Sequence, residues 1–202
     1  QHLVALDLTS GRVRWQRPCD FGQCKYMTYM VYGNNTLLVT GTDAKRRFHT
    51  YAMDVGSGTE LWRHEADDQK GHHTGNLDHP TVVGDRVYFN KHTFKLRTGD
   101  VLKVDKFNWH GCGVMSASKY TIFRRFEYHA MLDVETGKRT EMLGIRTGCW
   151  LGLIPSGGLL LAPESSAGCS CGHSLQTTIA YLPKYVIDGN EAGELKTPSS
   201  QQ

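Results

Sequence analysis

Along most of the chain, apolar and polar residues alternate with a period of two, in runs too short to be anything but strands. "LVALDLTSGRVRW" (Leu3 to Trp15) sets Leu3, Ala5 and Leu8 against Val13 and Trp15 across a Ser-Gly turn. Alternation of this kind predicts two half-buried strands, and the glycine predicts a turn that needs positive φ. "YAMDVGSGTELW" repeats the arrangement, and "HTFKLRTGDVLKV" and "HAMLDVETGKRTEM" keep its outline. Another hairpin lies upstream of each later copy or follows the last one: "MTYMVYGNNTLLVTG", "HPTVVGDRVYFN", "GVMSASKYTIFRR" and "WLGLIPSGGLLLAP". Each is two apolar runs around a Gly, Asn, Asp or Ser turn. No stretch sustains a helical period over three turns, so the chain reads as all-β.

The hairpins recur in register. Ala5, Asp7, Gly11 and Trp15 reappear at the same offsets as Ala52, Asp54, Gly58 and Trp62. The fourth copy keeps Asp133 and Gly137, with Met131 for the alanine and Glu141 for the tryptophan, and the third keeps only Gly99. The four glycines are 47, 41 and 38 residues apart. A period near 40 containing four strands predicts a β-propeller of four-stranded antiparallel blades. The expected division is a partial blade at 1–17, repeats at 18–65, 66–105, 106–143 and 144–183, and a terminal edge strand or polar tail at 184–202. The chain opens in the middle of a blade, which predicts a piece of a longer protein whose ring has seven or eight blades.

Composition narrows the partners. The 202 residues are 39% hydrophobic and carry a formal net charge of +3, ordinary for a globular chain and no field for nucleic acid. No apolar run approaches the roughly 20 residues needed to cross a bilayer as a helix. The one basic run, Lys45 to Arg47, reads as a solvated hairpin tip.

The residues with chemistry are cysteines and histidines. Six cysteines (Cys19, Cys24, Cys112, Cys149, Cys169 and Cys171) in a β-rich chain suggest disulfides and an oxidising compartment, with connectivity open. Cys112 and Cys149 each follow a glycine and open an innermost strand, and His79 holds nearly the same place one repeat earlier. All three are therefore expected at one end of the central channel. His79, His110 and Cys112, with Met115 nearby, form a soft donor set that would suit copper or zinc. Cys169, Cys171 and His173 form a second local cluster. The loops "DQKGHHTGNLDHP" and "DKFNWHGCG" bring His72, His73, Asn76, His79, Trp109 and His110 to one face, a candidate surface for a protein or small-molecule ligand.

The pattern Ala-x-Asp-x-x-x-Gly-x-x-x-Trp resembles the tryptophan-docking repeat of the pyrroloquinoline-quinone-like β-propeller superfamily, and the resemblance extends to about Pro183. It implies that Ala5, Asp7, Gly11, Trp15, Ala52, Asp54, Gly58 and Trp62 are structural docking residues. The segment Ile145 to Pro183 is similar to the cysteine-containing end of large secreted bacterial members. Among such proteins are dehydrogenases that hold the quinone against a disulfide of adjacent cysteines, with calcium nearby, and cofactor-free scaffolds that bind proteins on loop faces. Here there is no Cys-Cys pair and no recognisable calcium set, and two repeats lack the docking tryptophan. The resemblance therefore implies a secreted or periplasmic binding module that works beside further blades or another domain of its protein. The alternative it leaves open is a periplasmic oxidoreductase with quinone or copper at the axis and Asp78 or Asp105 as base.

Overall fold

The computed structural model of the chain describes residues 2–45, 47–66, 79–89, 91–104, 114–119, 121–125, 129–142, 147–148, 151–164 and 177–182. These form antiparallel sheets and no helix. A hairpin of β1 (His2–Leu6) and β2 (Val13–Pro18) comes first. The first four-stranded sheet is β3 (Tyr26–Gly33), β4 (Thr36–Thr42), β5 (Phe48–Asp54) and β6 (Glu60–Ala66). The second is β7 (Thr81–Val83), β8 (Arg86–Phe89), β9 (His92–Lys95) and β10 (Val101–Val104). The third is β11 (Ser116–Ala117), β12 (Thr121–Arg125), β13 (His129–Asp133) and β14 (Arg139–Met142). The fourth, with three described strands, is β15 (Ile154–Ser156), β16 (Leu159–Ala162) and β17 (Ile179–Tyr181). Within each sheet the strands lie side by side in chain order.

Turn chemistry explains the hairpins. Asn34 and Asn35 both take positive φ, 46° and 59°, between the paired Gly33 and Thr36, the geometry of a two-residue turn whose twist matches the strands. In the β1–β2, β5–β6 and β13–β14 turns one carboxylate does the same work. Oδ1 of Asp7, Asp54 and Asp133 accepts N–H and O–H from Ser10, Ser57 and Thr136, and the glycine that follows closes the loop at φ near 70°. Hydrogen bonds to the ionised form stabilise it, from Arg97 and then Ser57 at Asp54 and from the turn residues at Asp7 and Asp133, so all three carboxyls are held below their ordinary value.

The sheets stack as blades, and the core lies between them rather than within any one. β3 lies against β7, β7 against β11 and β11 against β15, so the first strand of each sheet is the innermost. Gly33 and Gly152 allow this approach, because a Cβ on either would come within 2.7 Å of Val82 or of the Val114 carbonyl. β4 and β5, covered by neighbours on both faces, are buried almost throughout. The largest core cluster joins Leu38, Phe48, Ala52 and Trp62 of the first sheet to Val87, Phe89, Phe94 and Leu96 of the second. Between the second and third sheets the buried apolar members among the described residues are Tyr88 and Met115.

Candidate functional site

Antiparallel pairing with an even number of strands returns the chain to the same end of each blade. Thr42 pairs with Tyr26 and Phe48 with Ala66, so the entry of β3, the β4–β5 turn and the exit of β6 share one end. The same holds for Phe89, His92 and Val104 in the second sheet and for Arg125, His129 and Met142 in the third. The last strands of these sheets, β6, β10 and β14, therefore end at the same end as their β4–β5, β8–β9 and β12–β13 turns.

His79 stands two residues before β7, the innermost strand of its sheet. Its imidazole is half-buried, with Nδ1 3.3 Å from the Pro80 carbonyl and its ring centroid 5.4 Å from that of Tyr29 on β3. His72, His73, Asn76, Trp109, His110, Cys112, Cys149, Cys169 and Cys171 lie outside the described residues, as do Asp78 and Asp105. Among the described residues no three His, Cys, Asp or Glu side chains converge to hold a metal ion.

On the same face the β4–β5 turn carries a cluster that composition and spacing do not announce. Asp43 is buried and accepts from the backbone N–H of Lys45 and Arg47 and from Nε of Arg47. His49 Nε2 lies 3.1 Å from Asp43 Oδ2, and His49 Nδ1 is 3.8 Å from Glu65 on β6. Arg47 bridges Asp43 and Glu65. Burial opposes ionisation of Asp43, but the hydrogen bonds from Arg47, His49 and Lys45 outweigh it and hold the carboxyl far below the usual range. The basic run is thus only in part a solvated tip. Lys45 is exposed, whereas Arg47 is drawn inward by two carboxylates. A cavity of about 230 Å³ opens beside the cluster, walled by Arg47, His49, Tyr51, Arg63, His64 and Glu65.

Cys24 borders this region, packed against Gly41, with Sγ 3.9 Å from the His49 carbonyl. Burial pushes its pKa up to about 11, so it is a neutral thiol at physiological pH and no nucleophile. Cys19 and Cys24 are both free thiols in this structure. The chemistry available here is hydrogen bonding and charge, held rigidly.

The docking residues form joints. Trp15 packs on Gly58 and donates its indole N–H to the Val55 carbonyl at 2.8 Å, and Trp62 packs on Gly99 and donates to the Leu96 carbonyl at 2.9 Å. Ala52 is fully buried, and Asp54 also receives Arg97 of the next sheet at 2.9 Å. Ala5 and Asp7 are both half-buried.

Among the described residues no helix is long and apolar enough to cross a membrane. No curated protein matches the sequence. Residues 1–107 match the family model described as outer membrane protein assembly factor BamB. Among solved structures, BamB from Moraxella catarrhalis superposes with a TM-score of 0.58 at 15% identity, covering 90% of this chain and 52% of that one. The computationally designed Ika4 protein superposes with a TM-score of 0.54 at 13% identity, covering 78% of this chain and 92% of that one. The chain thus spans about half the length of the BamB structure it matches. By its docking repeat, its stacked four-stranded blades and a family match over more than half its length, the chain belongs to the pyrroloquinoline-quinone-like β-propeller family that the BamB model describes.

Proposed function

We propose that the chain is a propeller module of a secreted or periplasmic protein, and that it binds a protein or small-molecule partner on the face from which the segments between blades leave. The supporting observation is that the described strands on either side of these segments end beside a hairpin tip clamped by Asp43, Arg47, His49 and Glu65. A rigid rim under variable loops is how β scaffolds present recognition surfaces, because the sheets fix where loop side chains stand. Membership of a family whose model is described as an assembly factor agrees with a scaffold role. Docking residues are structural in this reading, and His72, His73, Asn76, His79, Trp109 and His110 supply the contacts.

The test is site-specific photo-crosslinking in cells of the source organism. A crosslinker at Lys45 or His79 should capture a discrete partner, and one at Ser57, in the β5–β6 turn at the opposite end, should not. Equal capture from both ends would remove the loop face from consideration. Elemental analysis and an absorption spectrum of the purified protein test the other chemistry. Stoichiometric copper or a quinone band would make the axis an oxidoreductase site and overturn the scaffold reading.

A further inference from the structure

We propose that the slot over Gly137, between the second and third sheets, binds the indole side chain of a tryptophan presented by a partner polypeptide. The slot lies at the end of the stack opposite the loop face, and the inference does not rest on the reading of that face.

The template for the occupant is internal. At two successive junctions an indole covers a turn glycine and donates N–H to the carbonyl three residues before it: Trp15 over Gly58 to Val55, and Trp62 over Gly99 to Leu96. Each tryptophan comes from the preceding outer strand, four residues after that strand's own turn glycine. At the third junction this position holds Lys103, the socket is Gly137, and the equivalent carbonyl belongs to Val134. A Cβ added to Gly58 or Gly99 would lie 2.7 Å from a tryptophan ring, whereas one added to Gly137 would meet nothing within 4 Å. The neighbours have not closed over the space. A cavity of about 350 Å³ remains, walled on its apolar side by Tyr88, Leu102, Leu132, Val134 and Gly137 and on its polar side by Arg86, Thr93, Lys103, Asp133, Glu135 and Thr136.

Three properties select the occupant. The bare glycine backbone accepts a flat ring, the apolar side of the wall favours a large one, and the Val134 carbonyl stands where Val55 and Leu96 each accept an indole N–H. Indole supplies all three, as it does at the two occupied junctions. The docking turn also has the frame of its occupied counterparts: Asp133 fixes Thr136 as Asp54 fixes Ser57 before Gly58, and Gly137 sits at φ 69° beside values of 71° and 74° at Gly58 and Gly99. The site is preformed, so binding does not require the turn to rearrange.

The experiment titrates N-acetyl-L-tryptophanamide into the isotopically labelled chain and follows backbone amide resonances. The amides of Val134 and Gly137 should shift saturably at millimolar ligand, the range for one isolated side chain. The 1-methylindole analogue should bind about five-fold more weakly, the worth of one hydrogen bond. N-acetyl-L-leucinamide should leave both amides in place. Lys103→Trp should restore the self-made joint, raise Tm and abolish the shifts. Leu102→Glu, at a half-exposed wall position, should weaken binding at least ten-fold while leaving the fold intact. If the Gly137 amide does not move with tryptophanamide, or if both variants bind like the parent, the slot is not an indole site.

Discussion

At the scale of single residues, the side chain that contributes most to one joint is Trp62. It is nine-tenths buried, packs near Phe94, and spends its only polar atom on the Leu96 carbonyl. Trp62→Ala leaves a void that Gly99 cannot fill and should cost about 3–5 kcal/mol, read by chemical denaturation. A variant that unfolds at the parent's midpoint would show that the joint does not hold the blades. Cys24 makes a different prediction. With its pKa near 11, iodoacetamide at pH 8 should leave it unmodified in the native chain and label it fully in denaturant. Rapid native labelling would contradict its burial. The docking positions were legible beforehand because a repeat preserves spacing, and spacing is what a sequence displays. The Cys24 environment was not, since it depends on Gly41 and His49 reaching it across strands.

Elements bring together groups that no local pattern pairs. His64 on β6 and His92 on β9 meet edge to face, with ring centroids 5.2 Å apart, and both lie against Phe94. His64 Nε2 and His92 Nδ1 are buried without a hydrogen-bond partner among the described residues. Burial lowers both pKa values below the ordinary 6.5. The charge of His64 lowers His92 further, with Lys91 adding to it, while Glu65 partly offsets the shift at His64. The unfolded chain therefore binds protons first on acidification. Stability from this pair is full above pH 6.5 and falls as pH drops through that value. Tm should decline between pH 7.5 and 5.5, and His92→Phe should lessen the decline; an unchanged decline would assign the effect elsewhere. Asp43 acts in a separate window: its contribution is full above the ordinary carboxylate value of 3.8 and is lost progressively as pH falls from there toward its lowered pKa. The clamp it makes was invisible in sequence. Glu65 reaches Arg47 only through β5–β6 pairing, so a basic run that reads as solvated is half internal.

For the whole molecule, the family and the all-β fold were legible, since both rest on period and turn chemistry. The loss of the third tryptophan was also visible, at Lys103. That its socket stays open was not, because whether a void collapses depends on how far the neighbouring blades can move. The third junction has the smallest described apolar core and lacks the indole joint, so it is the place where the stack is least committed to itself.

The first four-stranded sheet carries a socket, Gly58, in its own last turn and a plug, Trp62, on its own last strand. Both halves of the coupling therefore travel in one stretch of coding sequence. Copying such a stretch lengthens the array and supplies the new joint at once, with no surface to invent. Losing a plug, as at Lys103 and at Glu141, damages the one joint it would have made and leaves the joints made by Trp15 and Trp62 in place.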